Sequence, residues 1–101
     1  MRFAVAVLIG VLLAGCAVHP PEPDLHGTIV MSLYGNDEVR LGGTWLDGKD
    51  QITASLKHIH DVNPKATVLL WRTKHATVRD EDEMLDLIGA AGLGSGYIEP
   101  G

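Results

Sequence analysis

Few residues in this chain could do chemistry. Cys16 is the only cysteine among 101 residues, and as a thiolate it would be the one soft nucleophile present. It closes the tetrapeptide Leu13-Ala14-Gly15-Cys16, at the end of an apolar run that opens at Phe3 behind Met1 and Arg2. One positive charge, an apolar run and small residues at a cut point are the layout of a secretory signal peptide. The small side chains of Ala14 and Gly15 would let the backbone enter a narrow protease cleft. The histidines are the other reactive groups. His19 and His26 lie in a proline-rich stretch and His75 in a polar link, while His58 and His60 stand two apart on an expected helix. At that spacing side chains diverge by about 200°, so the pair cannot grip one metal ion. Ser32, Ser55 and Ser95 lack a nearby His and Asp pattern, and there is no HExxH, CxxC, GxSxG or glycine loop followed by Lys-Ser or Lys-Thr. The sequence points to no catalytic, metal or cofactor-binding residue, and to a chain that is not an enzyme.

Leu13, Ala14, Gly15 and Cys16 resemble the lipobox of bacterial lipoproteins at all four positions. The resemblance implies that the Cys16 thiol receives a diacylglycerol, that Gly15 and Cys16 are separated, and that the new amino terminus is acylated with a palmitate-type chain. Residues 1–15 are then the signal peptide. A membrane-spanning helix needs about 20 apolar residues, and His19-Pro20-Pro21 stops this run short. Each buried methylene contributes about 0.8 kcal/mol, and two or three acyl chains hold a protein stably where one does not. The chain is expected in the cell envelope, lipid-anchored and facing the periplasm. Ala17 stands where many inner-membrane lipoproteins carry aspartate, which implies the outer membrane.

Cleavage before Cys16 removes Arg2 and leaves 86 residues with seven basic against thirteen acidic side chains, a charge of −6. That length fits one small domain. An acidic chain without a basic stripe does not suit nucleic acid or anionic head groups, so membrane contact is expected from the lipid alone. With Cys16 consumed by acylation no disulfide can form. Residues 16–26 are the acylated cysteine and a spacer: the ten residues AVHPPEPDLH, extended at about 3.1 Å each, would reach roughly 30 Å.

The domain is expected over residues 27–101. Ile29, Met31 and Leu33 alternate with Thr28, Ser32 and Tyr34 at the strand period, Gly35-Asn36-Asp37 supplies a turn, and Glu38 to Leu41 alternates again. Gly42-Gly43 is read as a break or bulge in that second strand, with Thr44-Trp45-Leu46 leading into a helix capped by Asp47 or Asp50. Ile52, Leu56, Ile59 and Val62 share one helix face, and Asn63-Pro64 ends it. TVLLW, residues 67–71, is a covered strand. The acids Asp80 to Glu83 form a solvated first turn facing the positive end of a second helix, which closes on a Schellman ending at Ala90-Ala91-Gly92-Leu93. A last short strand is expected at Gly96-Tyr97-Ile98. The order β-β-α-β-α-β implies an α+β fold, a two-layer sandwich with two helices on one face of a roughly four-stranded sheet. Trp45, Trp71 and Tyr97 stand near strand ends, where either core filling or a binding surface would employ them. The first strand, TIVMSLY, has no charge, lysine or proline, and at a sheet edge it would pair with its copy in a homodimer.

TIVMSL, the glycine turn, VRLGG, the helix ending in Asn63-Pro64, ATVLLW, and the helix closing on Asp86 and then Ala90-Ala91-Gly92-Leu93 together resemble the periplasmic domain of the ExbD/TolR family of biopolymer transport components. The resemblance implies a non-catalytic interaction module that dimerises and binds an envelope protein or peptidoglycan. The family's transmembrane aspartate has no counterpart, because the run from Phe3 to Leu13 carries no carboxylate, so proton coupling is not implied. Thr73 is the nearest counterpart of an aspartate the family often has before its last helix, and Glu81 and Asp82 fall where it commonly has apolar residues. VRLGGT also resembles the strand ending of BON-type domains, which implies a lipid-associated envelope module instead. A small hydrolase is the remaining class, with no residue pattern to carry it. The lipobox gives the first test. Cys16→Ala should leave an uncleaved precursor that no longer takes up labelled fatty acid, and continued labelling would end that reading.

Overall fold

The computed structural model describes residues 20–98, and the lipobox residues Leu13, Ala14, Gly15 and Cys16 lie outside them. The elements run β1 (Thr28–Gly35), β2 (Glu38–Leu41), β3 (Thr44–Asp47), α1 (Lys49–Val62), β4 (Thr67–Arg72), α2 (Val78–Ala90) and β5 (Gly94–Tyr97). They form an α+β fold whose single five-stranded sheet has the order β3-β2-β1-β4-β5. β1 lies antiparallel to β2 and parallel to β4, which is parallel to β5. The two parallel pairings need long returns, and the two helices serve in them.

Alternation places Ile29, Met31 and Leu33 of β1, Val39 and Leu41 of β2, Leu46 of β3 and Val68 and Leu70 of β4 on one sheet face. Ile52, Leu56 and Ile59 of α1 and Met84 and Ile88 of α2 close over them in one apolar core. Both helices therefore cover the same face.

Four expectations need correction. Gly42-Gly43 breaks the second strand rather than bulging it. Both residues take positive φ, 58° and 90°, and form a two-residue hairpin turn between Leu41 and its partner Thr44, so Thr44–Asp47 is a fifth strand rather than a lead into the helix. A side chain at Gly42 would also strike Ile29, its Cβ standing 2.6 Å from the Ile29 Cδ1. With the strand running to Asp47, the N-cap falls on Gly48, which offers no side chain, and neither Asp47 nor Asp50 caps α1. The Asp47 N–H instead donates to Gln51 Oε1 at 2.9 Å. Val62 leaves the core: it is the last residue of α1, just before the chain turns into β4, and stays 60% exposed. Fourth, β1 is the central strand, bonded on both sides, so no edge is open there for a second copy; the edges are β3 and β5.

The other ends follow the sequence closely. Asn36 and Asp37, at φ 53° and 60°, turn β1 into β2, as a right-twisted hairpin requires. Asn63 closes α1 by donating its N–H to the Ile59 carbonyl. At the end of α2 the Leu93 N–H donates to the Ile88 carbonyl and the Gly92 N–H to that of Gly89, the two bonds of a Schellman ending, with Leu93 buried. The stretch expected as a free spacer is in part attached to the domain: Pro21 is buried, and the Asp24 carboxylate accepts the N–H groups of His26 and Thr28 at 2.8 and 3.0 Å. Those bonds, Thr28's first, hold the Asp24 carboxyl below its ordinary pKa.

The N-terminus of α2 is a capping box. Thr77 accepts the Asp80 N–H on its hydroxyl at 3.2 Å, and the Asp80 carboxylate accepts the Thr77 N–H at 2.8 Å. Thr77→Ala should lower the unfolding free energy by about 1 kcal/mol. Urea titration would show it as a lower midpoint at unchanged slope.

Candidate functional site

Among the described residues, the sheet face opposite the helices is the part of the domain that the fold leaves uncovered. Strand alternation decides its side chains and pairing register aligns them. Trp45 on β3 is paired with Arg40 on β2, Arg40 with Ser32 on β1, and Ser32 with Trp71 on β4, so these four residues form one row across the sheet. Val30, Leu69 and Gly96 form a second row on the same face. Neighbouring strands lie about 4.8 Å apart, so three steps set the two tryptophan backbones about 14 Å apart.

The row is partly organised by its own contacts. The Tyr34 and Trp45 rings lie with centroids 4.9 Å apart at 45°, and the Arg40 guanidinium carbon stands 5.7 Å from the Trp45 centroid. A guanidinium over an indole is attracted by the ring's negative face. Among the described residues the ion pairs join Lys49 and Arg79 to Glu83, and Arg40 is in neither. Trp45 is 54% exposed, Trp71 43% and Val30 37%. The surface is therefore aromatic and aliphatic over β1 and β4, with Arg40 held against Trp45 and the exposed Glu38 and Asp47 at its β2–β3 end. Such a surface is equipped to bind, since aromatic residues and arginine are enriched where proteins meet partners. It contains no nucleophile paired with a base.

Of the three aromatics that the sequence placed near strand ends, Trp45 and Trp71 come together on this face. Tyr97 does not: its register partner is Leu70, so it belongs to the helix side of the sheet, at the outer strand, and is exposed. Tyr34 and Arg40 went unnoticed in the sequence. Their signal was there in the alternation, since each sits out of phase with the buried positions of its own strand.

The remaining polar groups do not converge. His26, His58 and His75 are exposed and His60 is half-buried, and no group of three or more His, Cys, Asp or Glu among the described residues could hold a metal ion. Of the acidic run, Asp80 serves the capping box and Glu83 pairs with Lys49 and Arg79 at 3.8 and 3.6 Å. Thr73 donates its hydroxyl to the Leu33 carbonyl at 2.6 Å and so extends the β1–β4 pairing. The described residues also line shallow clefts. One of about 350 Å³ is bounded by Glu38, Trp45, Leu46, Asp47 and Gln51 and continues the uncovered face around β3. Another, about 330 Å³, lies between the helices beside Lys57, His60 and Asp61. Among the described residues no helix is long and apolar enough to cross a membrane.

No protein-family model matches the chain, and no curated protein matches it significantly. The stacking at Trp45 can be tested directly. A double-mutant cycle of Arg40→Ala and Trp45→Ala, read by circular dichroism in urea, should give a favourable coupling of about 0.5–1 kcal/mol. Additive effects would mean that the guanidinium draws nothing from the ring.

Proposed function

We propose that this chain is a lipid-anchored cell-envelope lipoprotein whose ExbD/TolR-like domain is a non-catalytic interaction module, binding an envelope protein or peptidoglycan through the uncovered sheet face. The row Trp45–Arg40–Ser32–Trp71 carries the reading, because it exposes two tryptophans and a cation on a face that no helix or strand among the described residues covers. Apart from β3, which the family resemblance does not imply, the order of elements agrees with it, while the lipobox would supply attachment through Cys16 and Ala17 an outer-membrane location. Each feature suits its partner chemically. Rings stack on the apolar faces of sugars or pack into protein pockets, and arginine meets carboxylates, which both peptidoglycan stems and protein surfaces carry. An accessory part in biopolymer transport is the wider form of this proposal. Self-association would have to use the outer strands or this face, since β1 is paired on both sides.

Co-sedimentation of the lipidated protein in detergent with purified sacculi tests the glycan arm, and photo-crosslinking from Val30 in cells tests the protein arm. Replacing Trp45, Arg40 and Trp71 together by Ala should abolish whichever signal the wild type gives, while Thr53→Ala on α1 should leave it intact. Equal loss in both variants, or retention in both, would remove the uncovered face from the proposal.

A further inference from the structure

One end of the domain is built from adjacent turns. β1, β4 and β5 start there, both helices end there, and the Gly42-Gly43 turn lies there too, its Gly42 N–H donating to the Val30 carbonyl at 2.9 Å. The turn from Asp24 to Gly27 abuts the turn from Asn63 to Ala66: the Thr67 N–H donates to the Gly27 carbonyl at 2.8 Å, and a Cβ on Gly27 would stand 3.0 Å from Asn63 Nδ2. The first turn exposes Leu25 completely, and Val62, the last residue of α1 just before the second turn, is 60% exposed. Lys65 is exposed beside them.

The described chain enters the domain at this end. Pro21 is buried, and the Glu22 carbonyl oxygen lies 3.5 Å from the place of a Gly42 Cβ. Between Cys16 and Pro21 stand only Ala17, Val18, His19 and Pro20. Five residue steps, however extended, span at most about 18 Å. The polar layer of one leaflet alone is about 6–7 Å thick. A tether of that length keeps this end of the domain within about 12 Å of the head groups, and it is the end that exposes Leu25 and Val62.

We infer that this end is a membrane-contact surface, with Leu25 and Val62 resting in the head-group layer of the bilayer that holds the lipid on Cys16. This rests on the lipid-anchor reading and adds to it an orientation. The contact is apolar rather than electrostatic: Lys65 is accompanied by the carboxylates of Glu22 and Asp24, so the end has no net positive charge to seek anionic lipid. The opposite end carries the first turns of both helices with Asp50, Asp80 and Glu81, and points away from the phosphates. The strands then lead outward from the bilayer, and the row from Trp45 to Trp71 faces sideways, open to a partner.

Single thiols placed at Leu25→Cys, Val62→Cys and, at the far end, Lys74→Cys can be labelled with a fluorophore in the lipidated full chain, because acylation consumes Cys16. In phosphatidylcholine vesicles doped with a head-group nitroxide lipid, labels at 25 and 62 should be quenched several-fold more strongly than the label at 74. Equal quenching at both ends, or stronger quenching at 74, overturns the orientation while the anchor stands. Differential quenching that appears only with added phosphatidylglycerol overturns the apolar contact. A wild-type chain that fails to float with the vesicles lacks the tether, and both the anchor reading and this inference fall.

Discussion

β1 is hydrogen-bonded on both sides, antiparallel to β2 and parallel to β4, and the other elements take their places from it. Because side chains alternate along a strand, its central position commits Ile29, Met31 and Leu33 to one layer and Val30, Ser32 and Tyr34 to the other. A one-residue slip against either neighbour would exchange the two sets and turn Met31 and Leu33, both buried, into solvent. The parallel pairing with β4 demands that the chain return to the starting end of the sheet, and α1 makes that return. The same demand between β4 and β5 is met by α2. Both helices therefore begin at one end of the domain and finish at the other, which separates the acidic first turns from the turns around Leu25 and Val62.

Local periodicity made most of the elements legible, and neighbour relations were not. Period two in β1 and β2, the helix stripe of Ile52, Leu56 and Ile59, and the glycine stop at Gly92 all depend on residues within a few positions of one another. Strand order depends on contacts across the chain, so the uncharged composition of TIVMSLY suited an open edge as well as a central strand. β3 escaped notice because four residues with two inward positions, Thr44 and Leu46, leave little pattern, although the Gly-Gly dipeptide before them is a strong hairpin signal. The uncovered face was half legible. Trp45 and Trp71 drew attention by type, yet only register across four strands shows that Arg40 and Ser32 lie between them, and that Tyr97 does not belong to the row.

The uncovered face itself follows from size. Two helices of 13 and 14 residues cover one side of a five-stranded sheet and no more, which is the usual limit of a two-layer domain. Antiparallel sheets tolerate water on one face by placing polar residues there, whereas parallel strands are ordinarily buried on both. The two halves of this sheet divide along that line. On the antiparallel side β2 and β3 turn Glu38, Arg40 and Asp47 outward. On the parallel side β1 and β4 turn Val30, Leu69 and Trp71 outward, the composition of a face that in a larger parallel sheet would lie under a second layer of helices. The missing cover is thus localised: it is apolar over β1 and β4 and bounded by Arg40 and Trp45, whose contact with Tyr34 fixes the border. A partner that fits must offer an apolar surface to the parallel half and a hydrogen-bonding or anionic group to the guanidinium at its margin.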